Sequence, residues 1–150
     1  MTQTITAAAG FLIAVLWFDL MFDVQVLRHR RAPQVSEDVL DSISTYYRRV
    51  TTTASPMGRL VAVAMLVLLA ALVTQAVRGD AAAWVSAASL AAAAVAIGLA
   101  AARVVPAAQR LGSRVEPLEV RSAVARRICR DHLICLAGMV IVMTVQLAAA

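Results

Sequence analysis

The chain has 150 residues, of which 61% are hydrophobic and 15% are charged, and its mean hydropathy is +0.79. A soluble domain of this size cannot bury that much apolar surface, so the composition excludes an ordinary soluble fold. The net charge is +5, but the arginines flank long apolar runs and no aromatic-studded basic surface accompanies them, which argues against nucleic acid as a partner.

The first apolar run, about residues 6–27, is long enough to cross a hydrocarbon core of about 30 Å. Arg28, Arg30 and Arg31 follow it directly, and no basic residue precedes it. A secretory signal peptide carries its positive charges before its apolar region. We therefore interpret this run as a membrane span with the N-terminus on the non-cytoplasmic side.

Three further apolar runs, about residues 57–77, 81–102 and 133–150, are also predicted to cross the membrane. Most charges fall between the spans, and the arginine excess there marks these segments as cytoplasmic. The predicted topology is a single membrane domain, residues 1–150, with both termini non-cytoplasmic and with cytoplasmic loops at residues 28–56 and 103–132.

Each long loop is predicted to contain an amphipathic helix. In the first loop, Ser36 and the acidic pair after it form a helix start, and apolar residues recur at helical spacing up to Val50. In the second loop, a helix opens near Pro117 and continues into the fourth span. The predicted fold class is therefore an all-α integral membrane protein, a four-transmembrane-helix bundle with two cytoplasmic amphipathic helical loops.

The third span is rich in alanine and carries a stripe of small residues at Ala94, Gly98 and Ala102. Small residues spaced four apart let helix backbones approach closely in lipid. We expect this stripe to pack inside the bundle, with Gly58 and Ala62 of the second span as its partner surface.

Two acidic residues within the first span, Asp19 and Asp23, share one helix face because they are four residues apart. A charge at membrane depth costs roughly 2.5 to 3.5 kcal/mol, so such residues usually face the bundle interior. Arg59 begins the second span at a similar depth, and we hypothesise that it pairs with Asp23. For Asp19 three interpretations stay open: a structural hydrogen bond to Ser86, Ser89 or a backbone carbonyl, a proton or cation relay, and a metal-binding or catalytic carboxylate.

A polar site is predicted at the cytoplasmic edge of the bundle. Its candidate residues are Asp19, Asp23, Arg59, Tyr47, Arg49 and His132. The competing interpretation is an interfacial helix whose tyrosines and arginines anchor it among lipid headgroups. Under either interpretation, anionic lipid headgroups are expected to bind the arginine doublets Arg48, Arg49, Arg126 and Arg127.

Two cysteines, Cys129 and Cys135, lie six residues apart on the predicted last helix, which turns them about 240° from each other. We therefore expect two free, buried thiols. No cofactor and no metal site is expected.

The chain carries no motif for nucleotide, haem attachment, zinc or a nucleophile triad. This favours a non-catalytic accessory or scaffold subunit of a membrane complex, bound to a membrane protein partner or a second copy. The alternatives are a small proton-coupled transporter that uses Asp19, and an intramembrane enzyme that acts on a lipid-like substrate at the polar site. The expected location is a cell membrane, specifically a bacterial inner membrane.

Overall fold

The computed structural model describes residues 1–53 and 55–150, and every regular element within them is helical. Four of the helical segments are long and apolar enough to cross a membrane. The predicted four-helix membrane bundle is therefore confirmed. The helices in chain order are α1 (Thr2–Asp23), α2 (Glu37–Arg48), α3 (Ser55–Arg78), α4 (Ala83–Leu99), α5 (Val105–Ser113) and α6 (Leu118–Ala148).

Three of these helices extend into less regular turns, and α2 does so as a π-helical turn, Arg49–Thr53. α1 continues as a 3₁₀ segment, Val24–His29, and α4 passes through a π-helical turn, Ala100–Val104, directly into α5. The third long helix thus runs on to Ser113, well beyond residue 102, where the sequence placed the end of the span. Pro106 lies just after the wide turn, in the first turn of α5.

Four long helices form the bundle. Helix α1 packs against α3 and α6, and α4 packs against the same two helices, so α1 and α4 lie diagonally opposite each other. The core between them is apolar, with Leu12, Leu72 and Met139 almost fully buried. Large apolar side chains such as Trp17 and Leu66 point outward, as expected of a surface that faces lipid. We call the end with both chain termini the terminal end and the other the loop end.

A second apolar core lies at the loop end, where α2 and α5 pack on the first turns of α6. Leu40 and Ile43 of α2 are fully buried there against Leu111 and Ile128. The apolar face of α2 therefore packs against protein. The continuous helix predicted from the second loop into the last span is also confirmed, because α6 is unbroken over its 31 residues.

The small-residue stripe of α4 does not pack inside the bundle, so that expectation was wrong. Ala94 and Gly98, together with Ala102 in the π-helical turn that continues α4, are all exposed, and a Cβ atom added at Gly98 would meet nothing within 4 Å. Another face of α4 makes the close approach to α6. A Cβ atom added to Gly138 of α6 would lie 3.1 Å from the Ala92 carbonyl oxygen of α4. An alanine-rich helix offers small residues on several faces, and spacing alone does not choose among them.

The helix α3 is well buried only in its second half. Leu68, Leu72 and Gln75 are within the bundle, whereas the first turns, including Gly58 and Ala62, are largely exposed. These two residues were predicted to pack against α4, and they do not. The bundle is consequently closed at the terminal end and open beside the start of α3.

Candidate functional site

The carboxyl of Asp23, at the end of α1, is a fully buried charged group of the bundle. Its side chain has no exposed surface. The hydroxyl of Tyr47, from the end of α2, donates to Asp23 Oδ1 at 2.7 Å. His132 Nδ1, from α6, lies 2.6 Å from Asp23 Oδ2, and this hydrogen bond fixes the orientation of the imidazole ring, with Nε2 turned away from Asp23.

Asp19 lies one turn earlier on the same face of α1 and joins the same cluster. The hydroxyl of Tyr46 donates to Asp19 Oδ1 at 2.6 Å, and the Tyr46 ring stacks on Phe22 at a centroid distance of 4.1 Å. Asp19 Oδ2 lies 3.8 Å from His132 Nε2, which is too long for a direct hydrogen bond. The side chains of Tyr46, Asp19, His132, Asp23 and Tyr47 thus form one chain of polar groups, which we call the polar cluster.

Both tyrosines enter the cluster as hydrogen-bond donors. Burial raises the pKa of Tyr47 well above its usual value, and the nearby Asp23 and Asp19 carboxyls raise it further. Burial and Asp19 likewise raise the pKa of Tyr46. The phenols stay protonated over the whole physiological range, so each can donate to its carboxyl.

The hypothesised pair between Asp23 and Arg59 was wrong. Both Asp23 oxygens are taken by Tyr47 and His132, whereas Arg59 lies exposed on the open half of α3. A fully buried carboxyl needs partners that can reach it, and α2 folds back to supply one of them.

The serine partners considered for Asp19 were also wrong, because they lie at the terminal end. Ser89 Oγ accepts a hydrogen bond from Gln146 Nε2 at 3.1 Å. Gln146 and Gln75 exchange two amide hydrogen bonds, at 3.0 and 2.9 Å, and so close that end with a polar contact. The true partner of Asp19, Tyr46, was missed because it lies on α2, 27 residues further along the chain.

Four of the six predicted site residues come together at the loop end: Asp19, Asp23, Tyr47 and His132. Arg49 and Arg59 do not join them, since both are exposed. The cluster is thus more acidic than the sequence suggested, with carboxyl, phenol and imidazole groups and no guanidinium among its five members.

The arginines proposed to hold lipid headgroups differ in their surroundings. Arg48 and Arg49 are exposed. Arg126 is instead directed at protein, because its Nη2 donates to the carbonyl oxygens of His29 and Ala32, at 3.1 and 2.8 Å. Its guanidinium caps the end of the 3₁₀ segment, as a basic side chain near exposed carbonyls can.

A second buried carboxyl, Asp131, was not predicted as part of any ion pair. Its side chain is 2% exposed, and Arg103 Nη2 lies 3.1 Å from Asp131 Oδ2. Arg130 lies at 3.4 Å and Arg127 at 3.8 Å from the same carboxyl. Arg127 is therefore also partly engaged within the protein.

A cavity of about 500 Å³ opens beside the polar cluster. Asp19, Tyr46, Tyr47 and His132, together with Thr51, form its polar wall. The other walls are apolar and come from all four long helices, with Leu16, Phe18, Val61, Met65, Ile97 and Met139 among them. This volume is in the range of small-molecule sites.

Four apolar helices around a buried polar cluster define a small polytopic membrane protein. Over residues 1–149 the chain matches the sequence model of a family described as SHR3 chaperone, ER membrane protein SH3. The chain belongs to this family. No curated protein and no solved structure matches it significantly.

Family membership supports a membrane location and a small accessory, chaperone-like protein. The expectation of a bacterial inner membrane has no support, because the family is described as an ER membrane protein. Both cysteines are free and buried, as predicted.

Proposed function

We propose that this protein is a non-catalytic membrane chaperone, which holds transmembrane helices of client membrane proteins while these fold or assemble. The observation that carries the proposal is the match of nearly the whole chain, residues 1–149, to a family described as a chaperone. The fold supplies suitable surface, because large parts of its long helices expose apolar side chains outward.

The exposed small-residue stripe of α4, formed by Ala94, Gly98 and Ala102, is the surface we assign to client helices. In lipid, helix association is driven by close packing rather than by a hydrophobic difference. Because a Cβ atom at Gly98 would meet nothing within 4 Å, a foreign helix can approach the α4 backbone closely there.

Photo-crosslinking during membrane protein synthesis tests this assignment. A photo-reactive amino acid is placed at Gly98, or at Ala14 as a matched control, and polytopic membrane proteins are then synthesised in membranes that hold the variant. Ala14 is exposed on α1, which lies diagonally across the bundle from α4. We expect adducts between position 98 and newly made chains, which disappear as those chains finish folding, and few adducts from position 14.

Equal crosslinking from both positions would show only random collision within the bilayer and would refute the stripe as the binding surface. Crosslinks from neither position to any newly made membrane protein would contradict the chaperone function itself.

We also propose the membrane sidedness indicated by the arginine distribution, with both termini non-cytoplasmic and α2 and α5 on the cytoplasmic side. A short glycosylation tag added before Met1 or after Ala150 is expected to be modified in ER-derived membranes. The same tag inserted after Arg114, between α5 and α6, is expected to stay unmodified. The reverse pattern would overturn the orientation.

Proton-coupled transport is the second candidate, because the polar cluster forms a chain of titratable groups next to a cavity. Toward the terminal end, however, the buried face of α6 between His132 and Gln146 consists of Cys135, Met139 and Val142. This apolar stretch does not favour a proton path. A pH-driven flux into proteoliposomes that is abolished by Asp19→Asn would favour transport over the chaperone role.

A further inference from the structure

Two polar atoms of the cluster face the cavity with hydrogen-bonding capacity to spare. Asp19 Oδ1 accepts from Tyr46, but Asp19 Oδ2 has no hydrogen-bond partner among the described residues. His132 Nδ1 is engaged by Asp23, and no hydrogen bond to His132 Nε2 is made by the part of the chain that the structure describes. Both residues line the cavity.

The spacing of these two atoms suits one bridging group. They are 3.8 Å apart, so an oxygen at about 2.8 Å from each can hydrogen-bond to both. A hydroxyl is suited to this position when both nitrogens of His132 carry a proton, because it then donates to the Asp19 carboxylate and accepts from Nε2–H, while Nδ1–H donates to Asp23. A polar atom left unpaired in an apolar site is costly, which favours an occupant that supplies such a group.

The residues that line the cavity indicate the chemistry of the rest of the bound molecule. No arginine is among the described residues that line the cavity. The carboxyl of Asp19 belongs to its polar wall, and the carboxyl of Asp23 lies directly behind it, bonded to His132 and Tyr47. A phosphate or carboxylate headgroup would meet two carboxylates and a single imidazolium there, and therefore a net negative charge. The remaining lining is almost entirely apolar, which matches a hydrocarbon tail.

The cavity can be reached from the side of the bundle. Phe18 of α1, Met57 of α3 and Val105 of α5 line it and are 62%, 46% and 48% exposed. Phe18 and Met57 belong to helices that are long and apolar enough to span a membrane, so a molecule dissolved in the bilayer can enter between α1 and α3.

We infer that this cavity binds an uncharged amphiphile with a hydroxyl headgroup and an apolar tail, with the hydroxyl held between Asp19 Oδ2 and His132 Nε2. This inference does not depend on the chaperone role, which uses the outer face of α4. A membrane lipid with a free hydroxyl and a free long-chain alcohol share this chemistry.

The test uses the full-length protein in lipid nanodiscs and dodecanol with a terminal trifluoromethyl group, observed by ¹⁹F NMR. Saturable binding of one alcohol per protein is expected. The methyl ether of the same alcohol is expected to bind at least tenfold more weakly because it cannot donate to Asp19, and the dodecyl phosphate should bind more weakly still. Displacement of the alcohol by dioleoylglycerol would assign a membrane lipid as the source, and resistance to displacement would assign a free single-chain alcohol.

Three variants distinguish specific binding of the alcohol at the hydroxyl site from its nonspecific partition into the helix bundle. Asp19→Leu is expected to abolish the preference for alcohol over ether. Gly58→Phe, at a cavity-lining glycine with nothing within 4 Å of an added Cβ atom, should weaken binding at least tenfold. Gly98→Phe, which also adds a ring in open space but outside the cavity, should leave binding unchanged.

Equal affinity for alcohol and ether in the unmodified protein would overturn the inference, and so would tighter binding of the phosphate or no saturable binding at all. Because Gly58 is outside the α4 stripe and Gly98 is outside the cavity, failure of this inference is distinguishable from failure of the chaperone proposal.

Discussion

Replacement of His132 by leucine is expected to lower the free energy of unfolding in mild detergent by about 3–5 kcal/mol, the usual cost of removing one partner of a buried pair. His132 Nδ1 lies 2.6 Å from Asp23 Oδ2, and Asp23 has no exposed surface. Without the imidazole, only Tyr47 would remain to satisfy that carboxyl. Denaturant titration followed by circular dichroism measures the loss.

Two matched variants show whether the lost partner or the lost volume is responsible. His132→Asn keeps an N–H donor near the position of Nδ1 and is expected to recover most of the stability. The double variant Asp23→Asn with His132→Leu should be more stable than His132→Leu alone, because it removes the unpaired carboxyl. If the double variant is no more stable than the single one, the pair between Asp23 and His132 does not hold the bundle together.

Gly112→Ala is expected to destabilise the protein by about 1–3 kcal/mol, the cost typical of an overpacked core. A Cβ atom at Gly112 would lie 2.9 Å from the backbone nitrogen of Arg48 and 3.1 Å from its Cα atom. Backbone atoms cannot move aside as a side chain can, so α2 would have to shift away from α5. That shift would also move Tyr47, the residue before Arg48, away from Asp23.

Gly98→Ala is the matched control, because it makes the same change on a helix where the added Cβ atom meets nothing. There the change should stabilise the protein by up to about 1 kcal/mol, through the higher helix propensity of alanine. Equal effects of the two substitutions in thermal unfolding would mean that α2 and α5 do not make this close contact.

The sequence predicted the bundle because that part of the fold depends on local information. Runs of about twenty apolar residues and the helix start at Ser36 are visible in short windows, and both correspond to helices. The four-residue spacing of Asp19 and Asp23 likewise predicted that they share one face, and both joined one cluster.

The errors concern contacts between distant segments. The partners of the acidic pair come from Tyr46 and Tyr47, 27 and 24 residues away, and from His132, 109 residues beyond Asp23. Nothing in a local pattern indicates that α2 folds back onto the end of α1. Similarly, the face that α4 turns toward α6 depends on how Gly138 fits against Ala92, and an alanine-rich sequence does not specify that fit.

The polar cluster and the open start of α3 are physically related. Tyr46 and Tyr47 lie a few residues before α3, so their hydrogen bonds to α1 hold the end of α2 at the bundle. The first turns of α3 stand apart from the core, and the cavity lies in the resulting gap.

The chaperone proposal is tested most directly in cells that lack this protein, by measuring the fraction of newly synthesised polytopic membrane proteins that aggregates. We expect this fraction to rise in the deletion and to return to normal with the unmodified protein or with Ala14→Leu. Gly98→Leu, present in the membrane at the same level, should fail to restore it. Full restoration by Gly98→Leu would contradict the assigned surface, and an unchanged aggregated fraction in the deletion would contradict the chaperone function.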